Sequence, residues 1–504
     1  MAKHSDTALA YLPFLRFSRI MAAAWEGFSH RDAATREKSR QLCQSMPFYI
    51  HPIRVPTRSQ SVTSPIYERP LDMLQTLVRM DTTNPPGNEI LCIQYLDNLL
   101  QGAGLSTTIL AKDPNRPNLI ARLPGSGDAP GLVLQGHVDV VTTANQRWDH
   151  PPFGGEVIDG DLWGRGSLDM KGGVVMMTCA VLRALAEGRQ PAGDIVLTIL
   201  ADEEAGSDYG ARFVTEEHPE QFAGARYAIG EGGGSARYLG DKRFYPLAVA
   251  EKQVCWLRAR FTGPGGHGSS PLRDGAMARL GKVLTTLNTH RLPVHLSAAL
   301  QLMLEGLARI APPELKATLA GLLDPARADA TLDQMYAGGD PLARSLDALL
   351  HNTANATVVH GGVKTNVIPS DIELELDGRV LPGFTADDFM AELHTLLGDD
   401  LPFEIIRHDP GRAEVDITLV PLLAGIVEEM DPEASVIPAM VGGFTDGRMF
   451  TRLGIQNYGF LPVKLPPGVN YGATVHVANE RVPVEGLEFG VQAISTLLER
   501  YRVD

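Results

Sequence analysis

Three carboxylates in a row, Asp202, Glu203 and Glu204, follow the apolar run DIVLTIL and precede AGSDYGA. Adjacent carboxylates at the end of a core strand repel one another unless a cation, a proton or water stabilises them. Other segments also carry polar groups where a pure core needs none. LVLQGHVDV delivers His137 and Asp139, two apart and therefore on one face of an extended chain. WGRGSLDMKGG sets Asp169 in a glycine-rich loop before a helix, AIGEGGG carries Glu231, and YGATVHVANERVP carries His476. Singly, each has an ordinary structural explanation: core histidines are satisfied by hydrogen bonds, loop aspartates make turns, and exposed glutamates are solvated. Together, two imidazoles and several carboxylates without a thiolate suit a borderline divalent metal, Zn²⁺ first, with Co²⁺ or Mn²⁺ as substitutes. Five protein ligands exceed the three that a catalytic zinc takes beside its open position. One bridging carboxylate shares them as three per ion, the arithmetic of a two-metal site whose shared water is a nucleophile at neutral pH.

The elements that must position these groups alternate. PLDMLQTLVRM and ILCIQYLDNLLQGAG have helical spacing, NLIARLPG and GLVLQGHVDVV read as strands, and KGGVVMMTCAVLRALAEG reads as a helix. DIVLTILADEE and ARYAIGEGGG supply further strands, so the pattern predicts an α/β fold with a mainly parallel sheet. Functional groups in such folds gather outside the carboxyl ends of the strands. From about Glu251 the order changes to strand (KQVCWLRARFTG), helix (GAMARLGKVLTTL), two strands (ATVVHGGVKTNVIPSDIELELDGRV), helix (TADDFMAELHTLL) and strand (FEIIRH). That is the ferredoxin-like order, expected for an inserted α+β lid or dimerisation domain. The expected division is an N-terminal extension and Pro/Ser/Thr-rich linker over 1–66, and a catalytic domain over 67–250 and 412–504. The lid domain covers 251–411, with a helical insertion at about 293–350.

The 504 residues are 44% hydrophobic and 21% charged, an ordinary composition for a globular protein of two or three domains. The formal charge of −15 disfavours nucleic acid and anionic membrane surfaces as partners. No apolar run approaches the roughly 20 residues of a membrane helix. Cys43, Cys92, Cys179 and Cys255 are widely spaced, which fits a reducing compartment and a cytoplasmic location.

In order along the chain, GHVDVV, WGRGSLDMKGG, ADEEAGSDYGA, EGGG, GPGGHGSSP, GGVKTNVIP and ATVHVANE resemble the motifs of one family. It is the dizinc amidohydrolases that include aminoacylase, acetylornithine deacetylase, succinyl-diaminopimelate desuccinylase and carboxypeptidases of the G and S types. DTTNPPGNE, the long insertion and GGVKTNVIP look most like the carboxypeptidase S and N-acyl-amino-acid hydrolase branch. The resemblance implies that Asp169 bridges two metals, with His137 and Glu231 completing one site and Glu204 and His476 the other. It implies Asp139 as the group that orients His137, Glu203 as general base, and Asp202 as a hydrogen-bonded bystander. His267 would stabilise the oxyanion, in dimeric relatives from the partner subunit. Asn366, Arg379, Gly443, Thr445 and Arg448 would hold the substrate's carbonyl or carboxylate.

The expected reaction is hydrolysis of an amide bond in an N-acyl amino acid or in a short peptide with a free C-terminal carboxylate. A strict carboxypeptidase or dipeptidase shares all of this chemistry. A catalytically inactive binding module would be marked by loss of the base or of the bridging ligand, and Glu203 and Asp169 are both present. A homodimer through the inserted domain is the expected assembly.

Overall fold

The computed structural model describes residues 64–502 except 413 and 469. The N-terminal extension expected over 1–66 therefore lies outside the described residues but for its last three. In chain order the main sheet receives β1 (Thr107–Leu110), β2 (Asn118–Leu123), β3 (Gly131–His137), β4 (Ile195–Leu200), β5 (Ala225–Gly230), β6 (Arg237–Leu239) and β7 (Lys242–Glu251). The chain then builds a second sheet from β8 (Gln253–Thr262), β9 (Thr353–Gly361), β10 (Asp371–Val380) and β11 (Phe403–Asp409). It returns to the main sheet with β12 (Ala434–Val441) and β13 (Gln456–Gly459). The main-sheet order is β1-β2-β4-β3-β5-β13-β7-β12, with β6 beside β7. Pairs β4/β3, β3/β5, β5/β13 and β7/β12 are parallel, and β1, β2 and β6 pair antiparallel toward the margins.

The central strands read as continuous apolar runs because helices cover both faces. Every residue of β3 and β4 is buried. On one face pack the helices Lys171–Ala186 and Val484–Arg500, with Val174, Met177, Val181, Leu487, Ile494 and Leu497 in the core. On the other face Phe213 and Val214 of helix Ala211–Glu217 and Met449 and Phe450 of helix Gly447–Arg452 close over Val133 and Val196.

The second sheet is antiparallel throughout, in the order β9-β10-β8-β11, which is the ferredoxin-like arrangement. Burial alternates strictly along most of β10, and the buried side meets helices Ala276–Thr289 and Ala386–Leu397 through Leu280, Val283, Phe389 and Leu393. The helical stretch expected to extend this lid behaves differently. Ala299, Leu300, Leu304, Leu319, Leu332, Leu346 and Leu350 join the main-sheet core, and Gly306 seats its helix against Ile437 of β12. Its apolar stripe covers the β7/β12 margin of the sheet, so the core of this block packs on the main sheet, while Asp329, Asp333 and Asp347 reach the lid through Arg291.

Candidate functional site

The sharpest local feature lies where β4 ends. Asp202 takes a left-handed backbone (φ 65°), and residues 203–205 form a single 3-10 turn that stops at Gly206 (φ 114°). The chain therefore turns one residue before the glutamates, and this lets Glu203 and Glu204 both face the site, which consecutive residues on a strand cannot do. Asp139 holds the turn. Its buried carboxylate accepts from the amides of Glu203 and Glu204 at 3.2 Å each, and from Asn84 Nδ2 at 2.8 Å.

His137 closes β3, wholly buried. Its Nδ1 lies 3.0 Å from the main-chain carbonyl of Asp139 and 3.4 Å from the Asp139 carboxylate. Asp139 thus orients the ring chiefly through its backbone, and its side chain is devoted to the neighbouring turn. A proton on Nδ1 leaves the Nε2 lone pair facing carboxylates, with Asp169 at 3.3 Å and Glu231 at 3.9 Å. That nitrogen is buried and makes no aligned hydrogen bond. His476, also left-handed at φ 64°, brings Nε2 to 3.2 Å from the second oxygen of Asp169 and 3.1 Å from Glu204. Asp169 therefore stands between the two imidazoles with one oxygen toward each.

The crowding shows in the proton affinities. Burial, then the charges of Glu231, Asp446 and Glu204, push the Glu203 carboxyl well above the usual range despite His137. Burial lifts Glu231 to about 7. Burial also opposes charge on Asp169, yet His137 and His476 outweigh it and hold that carboxyl low. Contacts with Asp169 and Glu204 raise His476 to about 10. A cluster that retains protons so strongly is one that a divalent cation would relieve. Ligand atoms of His137, Glu203 and Glu231, and separately of His137, Asp169 and Glu204, lie within 4.8 Å of one another. These groupings overlap the ligand sets expected from the sequence, His137–Asp169–Glu231 and Glu204–Asp169–His476, and differ from them in including Glu203. The orphaned Nε2 and the all-N/O donor set fit a pair of borderline divalent ions.

The remaining expected residues are distributed differently. Gly443 is exposed, whereas Thr445 is buried and gives both its amide and its hydroxyl to Glu251, at 2.8 and 2.9 Å. Arg448, expected to receive a substrate carboxylate, is buried with every guanidinium nitrogen engaged: Thr445 O at 2.7 Å, Ser207 Oγ at 3.0 Å, Gly206 O at 3.3 Å and Asp409 at 3.4 Å. It ties the turn after Glu203 to the last strand of the lid. Arg379 pairs with Asp377 through Nε and Nη2 but leaves a buried Nη1 without a partner. Arg379 and Arg448 both lie over the Phe444 ring, 4.7 and 4.1 Å from its centroid. His267 and Asn366 are exposed on the lid, where Gly266–His267 pairs with Val367–Ile368, and His267 Nδ1 contacts Ser269 Oγ at 2.7 Å.

Several supporting residues escaped the sequence reading. Glu480, wholly buried, accepts from the amides of Leu168 and Asp169 at 2.9 and 3.1 Å and pairs with Arg165 at 2.5 Å, fixing the Asp169 loop. It is the last letter of ATVHVANE, so the motif contained the signal. Asp446 accepts from Ser207 Oγ at 2.5 Å, keeps a second oxygen unpartnered, and is raised to about 6 by burial. Among the described residues no helix is long and apolar enough to cross a membrane.

Known proteins share this fold. Residues 133–500 match the family model described as Peptidase family M20/M25/M40. N-fatty-acyl-amino acid synthase/hydrolase PM20D1 of Homo sapiens is 26% identical over 398 residues, 75% of this chain and 76% of that protein. Aminoacylase-1 of Sus scrofa is 23% identical over 439 residues, 84% of this chain and 94% of that one. An M20 family metallo-carboxypeptidase from Sulfolobus solfataricus superposes with a TM-score of 0.64 at 16% identity, over 85% of this chain and 98% of that one. With the family match running from Val133 in β3 to the end of the last helix and taking in the lid and every ligand-type side chain of the cluster, the chain belongs to peptidase family M20/M25/M40 and is a metallohydrolase.

Proposed function

We propose that the chain hydrolyses the amide bond of N-acyl amino acids, with peptides bearing a free C-terminal carboxylate as the alternative substrates. The observation that carries the reading is the meeting of two His–carboxylate triads at Asp169, 3.3 Å from one imidazole and 3.2 Å from the other. His137, Asp169 and Glu231 would hold one divalent ion and Glu204, Asp169 and His476 a second, zinc being the best match to the donors. Such ions supply Lewis acidity and a water whose pKa falls toward neutrality. Glu203 is the base: it takes the proton of the attacking water and returns it to the leaving nitrogen, a role suited to a buried carboxyl of raised pKa. Arg379, with its unpaired Nη1 beside Phe444, receives the substrate carboxylate in place of the fully engaged Arg448.

The acyl side is supported by a cavity of about 830 Å³ that borders Asp169 and Glu231 and is walled by Leu168, Met170, Met176, Leu461 and Val463. Its apolar wall favours a deacylase over a strict carboxypeptidase or dipeptidase. The lid's outer strand β9 has an unpaired edge carrying exposed Val358 and Val359, a surface suited to pairing two copies and bringing His267 to the partner's oxyanion. Buried free thiols at Cys92, Cys179 and Cys255 accord with a reducing, cytoplasmic setting. The test is liquid chromatography of a mixed panel of dipeptides and N-acyl amino acids of increasing chain length, with elemental analysis of the protein. Cleavage of acyl amino acids with about two metals per chain supports the reading; cleavage of peptides alone rejects the deacylase.

A further inference from the structure

On the side of the cluster away from solvent stands a chain of buried polar groups that neither the ligands nor the base accounts for. Asn84 Nδ2 donates to Asp139 at 2.8 Å and to Asp202 at 3.0 Å. Asp202 lies 2.9 Å from Arg116 Nη2 and accepts from the Tyr209 amide at 3.0 Å. Arg116 donates to Glu89 from Nε at 3.2 Å and from Nη2 at 2.7 Å, and its guanidinium sits 4.9 Å from the centre of the Tyr209 ring. All of these charged groups are buried. The NPPG turn makes room for the guanidinium: a Cβ on Gly87 would come within 2.3 Å of Arg116 Nε.

Buried ion networks give little net stability compared with well-packed apolar groups. What a planar guanidinium adds is direction, because one fork fixes two carboxylates at once. The residue it fixes, Asp202, is the one with a left-handed backbone at the start of the catalytic turn, a conformation that persists only where its surroundings hold it. We infer that Arg116, held by Glu89, is a positioning residue for hydrolysis: through Asp202 and Asn84 it fixes the Asp139 carboxylate, and with it the turn of Glu203 and Glu204. Asp202 is then the anchor of the carboxylate run and no bystander. The inference rests on the roles proposed above for Asp139 and Glu203.

The test compares Arg116→Lys and Asn84→Ala with the wild type and with Glu203→Ala. Lysine keeps the charge but lacks the planar Nε–Nη2 pair that grips Glu89 and aims Nη2 at Asp202, and alanine at 84 cuts the link without changing any charge. The readouts are kcat and KM on the best panel substrate, the visible absorption spectrum of the Co²⁺-loaded protein, and thermal unfolding. The expected result is a fall in kcat of about tenfold or more with KM changed less than about threefold. The cobalt spectrum shifts, Tm stays within a few degrees, and millimolar guanidinium restores turnover to Arg116→Ala. Wild-type kcat and spectrum in both variants overturn the inference, as do losses that follow unfolding and resist guanidinium. Activity in Glu203→Ala rejects the proposed function itself, whereas an inactive Glu203→Ala beside unaltered Arg116→Lys and Asn84→Ala rejects only the network.

Discussion

Replacing Asp139 by Asn tests the turn most directly, because shape is kept and only charge and one acceptor are lost. One carboxylate oxygen accepts from the Glu203 amide and lies 3.4 Å from His137 Nδ1; the other accepts from Asn84 and the Glu204 amide. If the amide oxygen takes the second position, its NH₂ group confronts the Glu203 N–H. If it takes the first, two bonded donors, Asn84 and Glu204, are stranded. A buried donor left unsatisfied costs about 1–3 kcal/mol, and hydrogen bonds to a charged acceptor are roughly twice as strong as neutral ones. The total is therefore about 2–6 kcal/mol, shared between folding and the alignment of the turn. If even the lower end falls on alignment, kcat or metal affinity drops about 10–100-fold. Steady-state kinetics, metal content and urea unfolding on Asp139→Asn separate the two shares. A variant that keeps two metals and a kcat within about threefold of wild type would refute the argument that this carboxylate sets the turn.

Glu203→Ala should retain its metals and lose about 10²–10⁴-fold in kcat, measured by the same chromatographic assay. Arg379→Ala should raise KM for carboxylate-bearing substrates about tenfold or more with little change in Tm, whereas Arg448→Ala should chiefly lower Tm; the reverse pattern would return the carboxylate to Arg448. The metal-free cluster holds protons on groups raised above their ordinary values, Glu231 to about 7 and His476 to about 10, and metal binding must displace them. Loading should therefore release protons, and apparent affinity should rise with pH from about 5 to 8; calorimetry in buffers of different ionisation enthalpy reads this directly. Mixing His267→Ala with Glu203→Ala should restore about a quarter of wild-type activity if His267 serves the partner's site, since half of the chains pair as heterodimers with one intact centre each. No recovery after subunit exchange would exclude action across the dimer, and full activity of His267→Ala alone would place His267 outside catalysis.

Most of the site residues that were legible in the sequence end buried strands, Asp169 and His476 being the loop-borne exceptions. His137 after LVLQG, Glu203 and Glu204 after DIVLTILAD and Glu231 after YAIG stand out because apolar runs stop at a charge. The lid was legible for a different reason, since β10 alternates residue by residue. β7 passed unnoticed because Pro246 interrupts KRFYPLAVAE, and proline within a run argues against a strand. The left-handed Asp202 was invisible because the groups that hold its side chain, Arg116 among them, lie far off in sequence, Arg116 by 86 positions. Arg448 looked like a ligand receptor because composition does not reveal that Ser207, Gly206 and Asp409 already occupy it. The helices at 298–350 were expected on the lid because they interrupt its chain; which apolar face they cover was decided by the margin of the distant strand β12.

That last placement changes how the lid is tethered. A simple inserted domain hangs from two chain crossings, but here the backbone leaves the lid after Leu292, runs through the block that begins near Ala299, and re-enters after Leu350 toward Ala354. Four strands of covalent chain thus join the two bodies. Lys252, at the first crossing, donates to Ala348 O and His351 O at 2.8 Å and to Thr353 Oγ1 at 3.0 Å, binding the first crossing to the third. A lid leashed at four crossings, two of them cross-linked by Lys252, is held to the main body far more tightly than a domain inserted through two.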